Sequence, residues 1–324
     1  MANVINLPSP ELYRPEFDDM YEIEYQQTIA NADGLFEKVV VSGEYKEFPL
    51  LAKTSSARKI TKRFEETAPG TVDAGKRRVS TDPYVDPLIF DRVDEKKFGT
   101  LESQIGPSIQ NQRYEAARNM DEVIIGTAGE RGGLIGLATE VSSAGVVSYP
   151  AFDSTYTIPT NFAYGGDTGT DPNVGMSYDK ITHLMTKLAK FQVRSQGNTT
   201  NNPSAFFGLL GASQIEDMLQ DSKYNNRDNV TALIEQVARG EIVDVNGITL
   251  RVIDDSILPI DGGGIRTCIF GAKRGARFGW NDQLNHELDR LPTKTHAIQS
   301  TLYWDWGLGR IWDQAIWKVP CLEA

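Results

Sequence analysis

The chain has 324 residues, of which 40% are hydrophobic. That composition supports a substantial core in one large domain or two smaller ones, and excludes a globally disordered protein. A net charge of -11 and a pI of about 4.9 argue, as averages, against a protein that binds free nucleic acid through a basic face.

The two cysteines and the amino terminus indicate in which cellular compartment the protein is expected. Cys268 and Cys321 are too few for a disulfide framework, so we expect a reducing compartment and two small hydrophobic side chains in or near the core. No secretion signal and no apolar run of about 18 residues is found, so neither export by that route nor a membrane partner is expected.

The first 37 residues are acidic. Arg14 stands against eight acidic residues, which gives this segment a charge of -7. Three prolines and several aromatic residues lie among the acids. The pattern predicts an arm that docks onto another surface, with a frayed terminus as the alternative.

Residues 46–78 have the opposite character, because they are extended, basic and short of large apolar side chains. Nine basic residues face four acidic ones, a net charge of +5. An acidic arm followed by a basic extension suggests parts that lie on neighbouring copies, since complementary potentials fix partner and register. A solvated face and a nucleic-acid contact are the alternatives. The predicted intersubunit contacts are Arg58, Lys59, Lys62, Arg63, Lys76, Arg77 and Arg78.

A long hairpin is predicted within this basic region. Val39 to Val41 start a strand, and residues 44–51 and 58–64 are interpreted as the two sides of the hairpin. Turn residues between Thr67 and Gly75 predict its tip.

Helical patterns follow. Residues 86–128 predict a helical run that starts near Asp86-Pro87, breaks or kinks near Pro107 and ends at Gly126 to Gly129. The glycine-rich residues 129–176 indicate short strands and loops. A second amphipathic helix is predicted from Ser177, its cap, to about Val193.

The last third alternates between short helices and strands. A buried strand (205–210) precedes a short helix opened by a capping box at Ser213 to Glu216, and another helix is predicted over 229–238. Strands are predicted over 242–245, 248–253 and 267–270, with Asn246-Gly247 as the turn of a hairpin. Alternating aromatic residues over 297–320 indicate sheet strands in which Trp304, Trp306, Trp312 and Trp317 support the fold.

Signatures of catalysis are missing from the sequence. No histidine has a second ligand at metal-binding spacing, and His183 is expected to be a structural or surface residue. Asp254 and Asp255 are adjacent in a strand pattern, so they point to opposite faces. Gly262-Gly263-Gly264 lacks the residues of a phosphate loop and indicates a turn. We therefore predict no catalytic, cofactor or metal site, and a protein that is not an enzyme.

The order of these parts resembles the major capsid proteins of tailed bacteriophages, which have the Hong Kong 97-type fold. Residues 82–91, leading into 115–125, look like the end of that family's extended loop and its spine helix. Residues 243–259 are similar to its axial-domain strand passage. The resemblance implies an α+β fold with an arm (1–37), an extended loop (38–85), a peripheral domain with the spine helix (86–204), an axial domain (205–290) and closing strands of the peripheral domain (291–324).

The resemblance also implies a function and partners. The chain would form pentamers and hexamers of an icosahedral capsid that encloses double-stranded DNA without sequence-specific binding, with a portal as partner. It would reside in the virion, and in the host cytoplasm before assembly. No helical, charged scaffolding segment precedes the arm, so a separate scaffolding protein is expected, or else a chain that is already processed. A decoration protein stays open.

Two alternatives remain at this stage. An encapsulin-like nanocompartment shares the fold and holds an enzyme cargo, whereas a soluble enzyme with an unrecognised site belongs to a different class.

Overall fold

A computed structural model describes residues 26–51, 74–90, 101–162, 174–191, 205–221, 243–245, 247–294 and 297–323. Within these residues the chain forms three sheets and three α-helices. The strands are β1 (Glu37–Val40), β2 (Tyr45–Leu51), β3 (Ala74–Ser80), β4 (Asp82–Phe90), β5 (Thr139–Val141), β6 (Val147–Ser148), β7 (Phe206–Leu210), β8 (Val243–Val245), β9 (Ile248–Val252), β10 (Ile265–Ala272), β11 (Ala276–Leu291), β12 (Ala297–Arg310) and β13 (Ile316–Leu322). The helices are α1 (Leu101–Ile125), α2 (Tyr178–Lys190) and α3 (Ala212–Gln220).

A five-stranded sheet with the order β13-β10-β7-β9-β8 is covered on both faces. Strand β7 is an unbroken apolar run with every residue buried, as expected for a strand with no solvent face. Phe206 and Phe270 face a core shared with α2 and α3. Phe207 and Ile269 face a second core shared with α1 and the next sheet. This sheet therefore joins the two cores.

The second sheet has the order β1-β11-β12-β4 and packs against α1. Alternation along β12 turns Leu302, Trp304 and Trp306 into the core. The indole Nε1 groups of Trp304 and Trp306 both donate to Oδ1 of Asn119, at 2.9 and 3.1 Å. One amide oxygen on α1 thus satisfies two buried donors and fixes the helix on the sheet.

The third sheet has the order β2-β3-β5-β6. Its strands β2 and β3 form an antiparallel pair from Tyr45 opposite Ser80 to Leu51 opposite Ala74. After Ser80 the chain passes directly into β4 of the neighbouring sheet. The hairpin is therefore covalently continuous with the sheet that carries α1.

Several predictions about the first half were wrong. Residues 82–90 form β4, where a helix was expected to begin at Asp86-Pro87. A proline is tolerated in an edge strand, and β4 is the edge partner of β12. Helix α1 runs through Pro107, so the predicted break is wrong, whereas a kink there stays a prediction. A proline inside a helix removes one backbone hydrogen bond, and the other hydrogen bonds of this 25-residue helix remain. The strand that pairs with β2 is β3, and not residues 58–64 as predicted; those residues lie outside the described part. Gly75, which was expected in the tip of the hairpin, lies within β3.

Predictions about the second half were closer. Ser177 caps α2, accepting from the backbone N–H of Lys180 at 3.4 Å. Helix α1 ends at Ile125, directly before Gly126, where the end was expected. Strands β8 and β9 pair as an antiparallel hairpin around Gly247, whose φ is 79°. The capping box was misplaced, since α3 begins after Gly211, whose N–H donates to Oε1 of Gln214. The helix predicted over 229–238 lies outside the described residues.

Replacing Asn119 with alanine tests how α1 is fixed. Asn119→Ala leaves two buried indole N–H groups without their acceptor, so we expect a loss of about 2 to 4 kcal/mol in the free energy of unfolding, measured by urea denaturation. Glu122→Ala is the control, because this exposed side chain lies one turn away on the same helix. Equal effects of the two variants would contradict this account of the Asn119 contact.

Candidate assembly surfaces

The hairpin of β2 and β3 carries three of the predicted contact residues, Lys76, Arg77 and Arg78. Glu47 on β2 accepts from Lys76 Nζ at 2.7 Å and from Arg78 Nε at 2.9 Å. These hydrogen bonds hold the pKa of Glu47 below its ordinary value. The Arg78 guanidinium also lies over the ring of Tyr45, 4.1 Å from its centroid. Lys76 and Arg78 thus already interact within the hairpin, which limits the charge they can offer to a neighbour.

Arg77 lies between them in sequence and points to the opposite face, where it is buried. Its Nη2 lies 2.6 Å from Oδ2 of Asp313, and 3.7 Å from Glu140. The other oxygen of Asp313 accepts from Nε of buried Arg310, at 2.5 Å. Burial lowers the pKa of Arg310, and the carboxylate of Asp313 opposes that shift. Asp313 therefore links β3 of the hairpin to β12 of the sheet below it, and we call this group the hairpin root.

Glycines let the two layers come this close. A Cβ on Gly307 would lie 2.1 Å from the backbone oxygen of Ser80, and one on Gly309 would lie 2.6 Å from the side chain of Val79. No real Cβ makes such contacts. Glycine in β12 is thus what allows β3 to cross directly over that strand.

The arm is described only from Gln26 onward, and that part docks on its own chain. The buried carboxylate of Asp121 on α1 accepts from the backbone N–H groups of Asn31 and Ala32, each at 2.9 Å, and from the side chain of Gln27. Burial raises the pKa of Asp121, and these hydrogen bonds oppose that shift. Asp33 pairs with Lys38, and Glu37 pairs with Arg277. The two described acids of the arm are therefore already paired within the subunit.

The face of the β1-β11-β12-β4 sheet that points away from α1, which we call the outer face, is exposed and mixed in character. Alternation along β4 leaves Val85 and Ile89 on this face, each about half exposed (55% and 48%). Tyr303 lies directly opposite Val85. On β11, the register places exposed Glu287 and Asp289 on the same face. An apolar column on β4 and an acidic column on β11 thus share this face, separated by β12. The sequence did not reveal this pattern, because a helix was predicted to begin at Asp86-Pro87.

A groove of about 520 Å³ opens beside the hairpin root. Leu50, Arg77, Tyr156 and Trp312 are among its lining residues. Trp312 is 37% exposed, so the prediction that it supports the fold from within was wrong, whereas Trp304, Trp306 and Trp317 are buried as expected. The strand alternation that buries Trp304 and Trp306 ends with β12 at Arg310, and Trp312 lies in the segment between β12 and β13.

The four clustered cations Arg58, Lys59, Lys62 and Arg63 lie outside the described residues. Their assignment as intersubunit contacts, like that of Lys76, Arg77 and Arg78, stays a prediction. What sequence reasoning missed is the pairing of Arg77 with Asp313, which are 236 residues apart. No local signal connects residues at that separation.

Side chains suited to metal binding are scattered. No group of three or more such residues occurs in the described part of the chain. His183 packs on Phe162, with ring centroids 4.0 Å apart, and Asp254 accepts from the N–H of Ser256. Both cysteines are buried free thiols. Among the described helices none is long and apolar enough to cross a membrane.

Removing the charge of Asp313 tests the hairpin root. Asp313→Asn leaves two buried guanidinium groups without their shared carboxylate, and we expect the free energy of unfolding to fall by about 3 to 5 kcal/mol. Asp289→Asn is the matched control, because the same change there affects an exposed side chain. Urea denaturation of both variants gives the comparison, and a loss below about 1 kcal/mol for Asp313→Asn would show that the linkage adds little.

Comparison with known proteins gives one family and many structures. The family model described as phage capsid protein matches residues 10–323. The capsid of cyanophage Pam1 has a TM-score of 0.67 at 10% identity, with all of both chains covered. The head of Helicobacter pylori bacteriophage KHP40 has a TM-score of 0.65 at 9% identity, again with both chains fully covered. Mycobacterium phage Che8 gives 0.62 at 8% identity, over 95% of this chain and 97% of the other. No curated protein matches the chain in sequence.

Proposed function

The chain belongs to the phage capsid protein family, and we propose that its copies assemble as pentamers and hexamers into an icosahedral shell around double-stranded DNA. Family membership makes the protein a structural subunit of a phage capsid, as the sequence resemblance predicted. The α+β fold of phage capsid proteins, the Hong Kong 97-type, is likewise confirmed by the structural matches. The observation that carries the proposal is the family match over residues 10–323.

The geometry supports assembly on physical grounds. Strand β2 is an edge strand, and Leu51 at its end is 70% exposed. The outer face adds the half-exposed Val85 and Ile89. Apolar surface of this kind on a lone subunit indicates contact with another protein. Neighbouring copies of the same chain are the partners that a capsid offers.

Electron microscopy of purified particles, combined with the ratio of absorbance at about 260 nm and 280 nm, tests the proposal. We expect shells with a nucleic-acid spectrum from infected cells. Protein-filled shells would instead support an encapsulin-like compartment. A species of 36 kDa only, at high concentration and with scaffold supplied, would contradict assembly and favour a soluble protein of another kind.

We further propose that the basic segment around Arg58 to Arg63 contacts acidic groups of a neighbouring copy. The outer face is the surface we favour. No ion pair joins Glu287 or Asp289 to another described residue, whereas Asp33 and Glu37 in the arm are both paired. The undescribed acids of the arm, at residues 11–24, are the second candidate. Charge complementarity would select the partner and its register in either case.

Charge exchange distinguishes the two surfaces. Replacing Arg58, Lys59, Lys62 and Arg63 together with Glu should abolish particle formation while circular dichroism stays unchanged, because like charges then face each other across the contact. Adding Glu287→Lys and Asp289→Lys to that variant should restore particles if the outer face is the partner. Particle yield by electron microscopy is the measurement, and higher salt should lower the wild-type yield.

The control exchange places Lys at Glu16, Asp18 and Asp19 instead. Rescue by this exchange alone would assign the contact to the arm. A normal yield from the fourfold Glu variant would show that the basic residues form only a solvated face. Loss of folding would show that the segment packs within its own subunit.

Further partners follow from the same proposal. A separate scaffolding protein and a portal would direct assembly, and residence in the host cytoplasm would precede residence in the virion.

The division into arm, extended loop, peripheral domain, axial domain and closing strands remains part of the proposal. The strand pairing bears on this division, because the segment 291–324 contributes to two different sheets. Strand β12 joins the sheet of β4 and β11, while β13 joins that of β7 and β10. A role that is structural and not enzymatic is part of the same proposal, supported by the family match.

A further inference from the structure

A lysine and a thiol meet in the core on the side of the five-stranded sheet covered by α2. Lys180 lies on α2 and is fully buried (0% exposed). Its Nζ donates to the backbone oxygens of Val174 at 2.7 Å and of Pro320 at 2.9 Å. The sulfur of Cys321, at the end of β13, lies 3.8 Å from the same nitrogen.

Burying a lysine is costly, and an apolar residue would fill the same space at lower cost. The two carbonyl groups hold the amine in place, with its nitrogen beside the sulfur. The thiol of Cys321 is itself enclosed, with Sδ of Met176 4.0 Å away. The amine and the thiol are thus fixed as neighbours in a dry site.

The two cysteines near Lys180 differ in reactivity, because their pKa values shift in opposite directions. Cys268 lies on β10, diagonal to Cys321 on the same face, because Arg266 is the residue opposite Cys321. The contact with Cys268 and the nearby Lys180 lower the pKa of Cys321, whereas the same sulfur contact and burial raise the pKa of Cys268 well above its ordinary value. Burial also lowers the pKa of Lys180. Since the thiolate is the reactive form, Cys321 is the thiol prepared for oxidation.

We propose that Lys180 and Cys321 form a covalent nitrogen–oxygen–sulfur bridge when the protein meets dioxygen. A bridging oxygen spans more of the 3.8 Å separation than a direct nitrogen–sulfur bond would, so it requires the smaller movement. Dioxygen is small and uncharged, and so can enter a buried apolar site that excludes charged oxidants.

The step balances. One N–H bond, one S–H bond and the oxygen–oxygen bond break, one N–O and one O–S bond form, and the second oxygen leaves as water. Nitrogen and sulfur each lose two electrons, and dioxygen gains four. The product ties α2 to β13, at positions 141 residues apart, and a thiol reductant would reopen it.

Mass spectrometry of the full-length protein tests the bridge. One sample is kept in air and one under argon with a thiol reductant, and free thiols are then alkylated before trypsin digestion. We expect the aerobic sample to contain residues 132–187, uncleaved after Lys180, joined to residues 319–324, with a mass gain of one oxygen less two hydrogens. The joined peptide should disappear after reduction.

Variants give the matched control. The bridge should persist in Cys268→Ser and be lost in Cys321→Ser and Lys180→Met. Aerobic wild type should also melt several degrees higher than the reduced form, because the bridge closes a long loop of the unfolded chain, and Cys321→Ser should lose that difference.

Three results would overturn the proposal. An aerobic sample with Lys180 and Cys321 unmodified would do so. So would a Cys268–Cys321 disulfide, recognised by the loss of two hydrogens and by its absence in Cys268→Ser. Oxidation of Cys321 to sulfinic acid without a link to Lys180 is the third. The peptide assignment in the wild type decides among these even where a variant fails to fold.

Discussion

The crossing of β3 over β12 is the constraint on which the rest of the structure depends. Two requirements meet there: glycines at 307 and 309 remove the side chains that would block the approach, and Asp313 bridges Arg77 and Arg310 once the strands are in place. Removing the carboxylate that bridges two buried guanidinium groups costs about 3 to 5 kcal/mol, because it leaves buried charge uncompensated. The crossing therefore fixes the orientation of β2 and β3 relative to β12.

The two cores explain how the body of the subunit supports the hairpin root. The five-stranded sheet is buried on both faces and so ties the α2 and α3 layer to the α1 layer. Strand β12 then connects that body to the hairpin root through Arg310. Stress applied to the hairpin in an assembled particle would be carried through β12 into the second core, where Trp304 and Trp306 are held by Asn119.

Most correct predictions depended on local signals, although the capping box at Ser213 and the break at Pro107 were local signals that misled. The Ser177 cap, the Gly247 turn and the apolar run of β7 each depend on residues adjacent in sequence, so propensity and pattern sufficed. The strand β4 was mistaken for a helix because its identity comes from pairing with β12, more than 200 residues away. Nothing near Arg77 in sequence identifies Asp313 as its partner. Most of the fold class was therefore accessible, whereas the hairpin root, which depends on pairing across the chain, was not.

Prolines at the sheet edges bear on how subunits meet. Edge strands offer unpaired backbone groups to any other strand, which is a hazard for a protein that must reach high local concentration. Three of the six edge strands in the described part contain proline, namely β2 with Pro49, β4 with Pro83 and Pro87, and β13 with Pro320, whereas β1, β6 and β8 contain none. A proline offers no backbone N–H to a neighbouring strand and so discourages open-ended strand addition. At these three edges, contact with another chain would depend on side chains, whose pattern specifies one register where a bare backbone would accept many.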